Sequence, residues 1–189
     1  MTDPSREDAE QAVRTLIQYI GEDPTRKGLQ STPRRVVDAL REMTEGGRRD
    51  PQEALGTTFR VTQDAFVIRR NIRFTSLCEH HMLPFTGVAH IAYLPNGERG
   101  IVGLSKLDRV FEGFARRLQV QERLTTQVAD AIEEALDPRG VAVIVKAVHQ
   151  CTVCRGVRQS DADMVTSVVR GRFRTDHGAK NELMALLTI

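Results

Sequence analysis

The hydrophobic period changes three times along this chain, and that change limits the fold more than any other feature. Apolar residues every three to four positions share one face of a helix, whereas apolar residues at alternate positions mark a half-buried strand. Ala9, Val13, Leu16, Ile17 and Ile20 share a helical face after Asp3-Pro4-Ser5, which offers capping side chains and an early proline, and Gly21 is the stop. Thr32-Pro33 opens a second amphipathic helix that carries Val36, Val37, Leu40 and Met43 inward and ends at Gly46-Gly47. From Thr57 the period falls to two: Phe66, Ile68, Ile72 and Phe74 alternate, and 88–93 form a second β-like run closed by Pro95-Asn96-Gly97. The helical period returns from Ser105, through Leu107, Val110, Phe111 and Phe114, then Leu124, Val128, Ile132 and Leu136, and stops at Asp137-Pro138-Arg139-Gly140. Residues 141–149 and 164–173 read as further strands, and 182–187 as a short closing helix. The order helix, helix, β, β, helix, helix, β, β predicts an α+β fold with antiparallel pairs, divided into a helical arm over 1–55 and a larger domain over 56–189 that carries the chemistry.

Composition excludes several function classes. The 189 residues can bury a sizeable core without disulfide or metal staples, so a metal here would serve chemistry. Twenty-seven Lys and Arg against 25 Asp and Glu leave +2, with no basic tract for bulk nucleic-acid binding. The longest uncharged apolar run, 141–145, is far short of the ~20 residues that span a bilayer, and MTDPSREDAE is acidic without a signal-peptide core. A soluble, cytoplasmic protein is expected, with no membrane and no nucleic-acid partner. Three cysteines, an odd count, point to ligand or catalytic thiols rather than a disulfide framework.

The densest chemistry is Cys78-Glu79-His80-His81. Thiolate and imidazole are preferred zinc ligands, and a Cys and a His three apart on a turn can converge on one metal. His149-Gln150-Cys151 follows a predicted strand, where alternation would put His149 and Cys151 on one side. Cys78, His81 and Cys151 would supply three ligands and leave a fourth position for water, as in a catalytic site. The competing reading is a closed structural site with Cys154 as the fourth ligand, because Cys151-x-x-Cys154 has zinc-knuckle spacing. Ser105-Lys106 opens a predicted helix, whose N-H groups favour an anion; Arg109 lies one turn on and Arg155 just beyond Cys151. Taken alone, these charges and the helical Glu122 read as solvated surface.

The stretches SLCEHHMLPF (76–85), GLSKLDRV (103–110), FARRLQVQERLT (114–125), AVHQC (147–151) and RGV (155–157), with TPRRV (32–36) in the arm, together resemble GTP cyclohydrolase I. The resemblance implies the tunnelling fold, antiparallel sheet with helices on one face, and a toroidal homodecamer with active sites between subunits. It places the Zn2+ ligands on Cys78, His81 and Cys151, at a family position where Cys154 is no ligand. It places the catalytic histidines on His80 and His149, with Ser105 near the ribose. Glu122 matches the carboxylate that takes the guanine N1-H and 2-amino group, a good fit for two parallel N-H donors, and Gln121 stands beside it among the substrate contacts. Ser105, Lys106, Arg109, Arg155 and, from the arm, Arg35 match phosphate or ribose contacts. Two departures stand out: Asp38 occupies a position where some members carry lysine, and 151–164 is polar and acidic. The expected reaction is zinc-dependent opening of GTP at C8, release of formate and rearrangement to 7,8-dihydroneopterin triphosphate, the first step of tetrahydrofolate and pterin biosynthesis. The rivals are a paralogue that acts in deazapurine biosynthesis or stops at a ring-opened product, and a zinc-stabilised binding protein without turnover.

Overall fold

Ser5 closes the first helix as its residue type predicts. At the start of α1 (Arg6–Tyr19) its hydroxyl accepts from the Asp8 N-H at 3.1 Å, while its own N-H donates to the Asp8 carboxylate at 2.9 Å. The computed structural model describes residues 3–60 and 65–188 and divides into two compact units, Met1–Thr44 and Glu45–Ile189. In the first unit α1 packs on α2 (Thr32–Met43), which has Pro33 in its first turn. Arg6 ties the pair, donating to Asp38 at 2.6 Å and Glu10 at 3.0 Å. Of the face expected to turn inward, Ile17 is buried, but Leu16 and Ile20 are 62% and 72% exposed. A helix with one partner helix covers only a narrow apolar stripe, and this stripe is wider.

The second unit begins with two 3-10 turns, Glu45–Arg48 and Pro51–Leu55, the latter burying Pro51 and Leu55. Its main sheet has the order β5-β2-β3-β6-β7, from β2 (Val67–Cys78), β3 (Pro84–Leu94), β5 (Leu118–Gln119), β6 (Gly140–His149) and β7 (Met164–Gly171). All neighbours are antiparallel except the short β5 beside β2. Two minor strands, β1 (Thr58–Phe59) and β4 (Ile101–Val102), pair with each other. Ala89, Ile91 and Tyr93 of β3, with Val141, Val143 and Val145 of β6, alternate onto one face. There they meet Leu107, Val110 and Phe111 of α3 (Leu104–Ala115) and Leu124, Val128 and Ile132 of α4 (Gln121–Leu136). At one end of the opposite face, Ala92, Leu94 and Ala142 meet Phe173, Ala179 and Leu183 of α6 (Arg172–Thr175) and α7 (His177–Thr188). The last strand stops at Gly171, whose φ of 57° turns the chain into α6, so Phe173 is helical rather than extended.

One expectation fails for a definite reason. Phe66, Ile68, Ile72 and Phe74 alternate in sequence but do not share a face: the first two pack towards α7 and the last two towards α3. Arg69 lies opposite Ile91 and Ile72 opposite Ala89, so Arg70 and Asn71 together oppose His90. This is a β-bulge, with Asn71 at φ 57°. It lets Arg69 pair with Asp108 of α3 at 2.7 and 2.8 Å while Arg70 reaches the Leu186 carbonyl at 3.0 Å. Among the described residues no helix is long and apolar enough to cross a membrane.

The β3–β6 ladder is closest at Gly87, opposite Ala147. A methyl group there would stand 2.0 Å from the Lys146 carbonyl oxygen and 2.7 Å from Ala147 Cα, both backbone atoms. Gly87→Ala therefore has to push the strands apart. The expected loss is about 1–3 kcal/mol, which for a chain of this size lowers the thermal midpoint by about 2–12 °C. Thermal unfolding followed by circular dichroism checks this.

Candidate active site

Three strand ends meet at one edge of the sheet: β2 finishes at Cys78, β3 starts at Pro84 and β6 finishes at His149. The connection from β2 to β3 is tight. The Cys78 N-H donates to the Leu83 carbonyl at 2.8 Å and the Met82 N-H to the Cys78 carbonyl at 2.7 Å, with Met82 at φ 54°. The turn is fixed from the side as well, because the Glu79 N-H donates to the Gln119 carbonyl at 3.0 Å. The Glu79 carboxylate pairs with Arg123 of α4, whose Nε donates to Gln119 Oε1 at 2.9 Å. The Arg123 guanidinium holds the Glu79 carboxyl below the usual carboxylate range.

Beyond His149 the chain does not stay extended. Gln150–Val153 form one helical turn, α5, and this turn rather than strand alternation carries Cys151 into the site. The ligand atoms of Cys78, His81 and Cys151 lie within 4.8 Å of one another, with Cys78 Sγ 4.0 Å from His81 Nδ1. Ligands at ~2.3 Å (S) and ~2.0 Å (N) around a tetrahedral zinc stand roughly 3.5–3.8 Å apart, so a small closure of the group would accommodate the ion. Burial pushes the Cys151 thiol up and the neighbouring Cys78 adds to this, with Arg155 opposing. A thiol that resists ionising, with a second thiol beside it, is what a bound cation would relieve. Cys154 is exposed and its thiol donates to the Gln150 carbonyl at 3.0 Å; among the described residues the metal-ligating group has the three members named.

Around this trio the structure gathers five more of the expected residues. His80 is exposed, its Nδ1 3.9 Å from Cys78 Sγ. Arg155 Nη1 is 3.4 Å from His81 Nε2. His149 stacks on Phe85 with ring centroids 4.6 Å apart and planes 2° apart, following directly from their pairing across the β3–β6 ladder. Burial lowers the His149 pKa, and Glu122, in the exposed first turn of α4, pulls it back up. Gln121 is fully buried and meets His149 Nε2 through Oε1 at 2.8 Å.

The other residues lie elsewhere. Ser105, Lys106 and Arg109 open α3 at the far end of the sheet, where the Arg69–Asp108 pair anchors that helix. Eight residues of β2 lie between Arg69 and Cys78, a run of roughly 25–30 Å. Among the described residues none of these three hydrogen-bonds or ion-pairs with the trio. Arg109 instead lines an open cleft with Arg48, Arg49 and Glu112. Arg35 is exposed on α2 in the first unit, and Asp38, three positions on, is taken by Arg6. Sequence reasoning missed Phe85 and the Glu79–Arg123–Gln119 clamp. The first depends on the register of two distant strands, and the second joins charges that look like ordinary surface when read singly.

Comparison with known proteins agrees with this geometry. The family model for GTP cyclohydrolase I matches residues 9–188. Curated relatives named GTP cyclohydrolase 1 include one from Maricaulis maris, 51% identical over 98% of this chain and 91% of the relative. Another, from Streptomyces avermitilis, is 50% identical over 95% of this chain and 89% of its own length. A third, from Bacillus subtilis, is 46% identical over 97% and 96%. A solved structure described as the archaeosine synthase QueF-Like in the apo form aligns with a TM-score of 0.45 at 16% identity, covering 58% of this chain and 97% of that one, too distant to bear on the assignment. With the family model spanning both units, and relatives matching over nearly their full lengths, the chain belongs to the GTP cyclohydrolase I family, has that family's α+β fold and is an enzyme of this type.

Proposed function

We propose that the enzyme opens the imidazole ring of GTP at C8, releases the C8 carbon as formate and closes the product to 7,8-dihydroneopterin triphosphate, with Zn2+ held by Cys78, His81 and Cys151. The observation that carries this reading is the Cys-His-Cys group at the end of the sheet where β6 finishes at His149, whose Nε2 meets Gln121, the neighbour of Glu122 on α4. A zinc ion bound there would lower the pKa of a water molecule towards neutrality. His149 delivers a proton to N7 as water adds at C8, so that negative charge does not build up on the opening ring. Glu122 accepts the N1-H and 2-amino hydrogens and orients the base. A second water releases the formyl group, and His80, with Ser105 at the ribose, moves protons during the rearrangement. One water leaves as the pterin ring closes, so the balance is GTP plus one water giving formate and the product.

The triphosphate falls to Lys106, Arg109, Arg155 and Arg35. Arg155 stands beside His81, whereas Ser105, Lys106 and Arg109 lie at the other end of the same sheet, farther than one nucleotide reaches. Separation of this kind supports a site shared between copies, and we assign a cytoplasmic homodecamer acting at the first step of tetrahydrofolate and pterin biosynthesis. The Arg6–Asp38 pair supports the role of Arg35, because it neutralises the acid that departs from the family pattern.

The deciding experiment incubates purified, zinc-loaded protein with GTP and follows purine absorbance, formate and pterin fluorescence together; formate without fluorescence, or neither, refutes the reaction as written. Within that assay, Cys78→Ser, His81→Ala and Cys151→Ser should each lose zinc and turnover, whereas Cys154→Ala keeps most of both. Metal analysis decides, and loss of zinc from Cys154→Ala equal to that from Cys151→Ser would show a four-ligand site. His149→Ala should slow loss of the purine by about 100- to 10,000-fold. His80→Ala should still open the ring and accumulate a formamide or ring-opened intermediate without fluorescence, and identical profiles for the two variants at full zinc would show the roles to be divided wrongly. Glu122→Gln presents a donor to a donating guanine edge; the expected loss of about 1–3 kcal/mol corresponds to a KM raised about 5- to 150-fold with folding unchanged.

A further inference from the structure

We propose that Gln121 is a positioning residue that holds His149 with Nε2 protonated, leaving Nδ1 as the ring nitrogen that faces substrate. The orientation of the Gln121 amide follows from its surroundings. Its Nε2 lies 3.0 Å from the Val145 carbonyl, 3.0 Å from the Met164 carbonyl and 3.1 Å from Thr166 Oγ1. Two of these are pure acceptors, so the amide nitrogen must be on that side. The hydroxyl agrees: Thr125 Oγ1 donates to the Gln121 carbonyl at 2.7 Å, so it receives the Thr166 hydrogen across their 2.6 Å contact, and Thr166 accepts from the amide. The amide oxygen therefore faces His149 Nε2 at 2.8 Å, and because an amide oxygen only accepts, Nε2 must carry the hydrogen.

Phe85, stacked 4.6 Å away with planes 2° apart, completes the constraint. Stacking confines the ring to one plane and the amide confines its rotation within that plane. Gln121 is fully buried and its amide is taken up by protein groups, so the side chain supports the neighbouring imidazole and not the nucleotide. This inference rests on the reading of His149 as the proton donor at N7: because Nε2 keeps its hydrogen for Gln121, the ring donates from Nδ1 as the imidazolium and is left as the neutral Nε2-H form that Gln121 favours.

The test compares His149→Ala, Gln121→Met and Gln121→Glu in full-length, zinc-loaded protein, with zinc content and thermal midpoint measured for each. Gln121→Met keeps the volume and removes both amide functions. With zinc retained, the expected result is a kcat for loss of the purine lowered about 10- to 100-fold, with KM for GTP within about twofold of the parent. Gln121→Glu restores an acceptor towards Nε2 and, buried as the neutral acid, keeps a hydroxyl that can donate to the Val145 or Met164 carbonyl, so it should recover at least tenfold over the methionine variant. A raised KM with kcat intact in either variant would make Gln121 a substrate contact and overturn the proposal, as would a glutamate variant no faster than the methionine one at full zinc. If Gln121→Met does not fold, the glutamate variant decides alone: parental KM with kcat within about tenfold of the parent supports positioning, and a deeper loss of kcat overturns it. Failure of the underlying reading looks different, because His149→Ala itself would then open the ring at the parental rate.

Discussion

The register of β3 against β6 is the constraint on which the site depends. The Gly87 position admits no side chain against Lys146 and Ala147, and the same ladder sets Phe85 opposite His149. Because side chains alternate with a period of two, a slip of one residue would turn the imidazole to the other face of the sheet, away from Gln121 and α4. The same face carries the apolar core, so burial of Val141, Val143 and Val145 and placement of His149 are decided together. Packing and chemistry share one register here.

Around that ladder, neighbouring groups carry the precision. The thiol pair is partly buried, the Cys78–Leu83 turn is closed by backbone hydrogen bonds, and α4 reaches the turn through Arg123 on Glu79. The Glu79–Arg123 pair is too exposed to add much stability. Its effect is geometric, since it joins the segment between Cys78 and His81 to the helix that also carries Gln121 and Glu122. One helix thus touches both the Cys78–His81 turn and the imidazole.

Much of this was legible in the sequence. The helical and extended periods marked every long element, and the spacing of Cys78, His81 and Cys151 named the trio before any geometry was known. Where the reading went astray, the cause was local or long-range. Leu16 and Ile20 looked inward because amphipathicity records an apolar face and not the partner that covers it. Cys151 arrives by a helical turn that four residues are too few to announce. Gln121 and Glu122 are neighbours in sequence, yet adjacent helix positions point about 100° apart, and here one enters the core and the other meets solvent. The partners of its amide come from β6 and β7, whose pairing with α4 no local pattern reveals.

The bulge at Asn71 reaches further than its size suggests. β2 is two half-strands of opposite phase joined at one left-handed residue, the first odd and the second even towards α3. An alternation count taken across the whole strand cancels itself, although each half is regular. Removing Asn71 would leave Arg70 alone opposite His90, with Arg69 still opposite Ile91 and Ile72 still opposite Ala89. The bulge would vanish and the two halves would run in one phase, Arg69 and Cys78 each keeping its side of the sheet. A gap of one residue at this point is absorbed by the ladder, whereas the same gap within either half, with the bulge kept, would turn the residues beyond it to the other face.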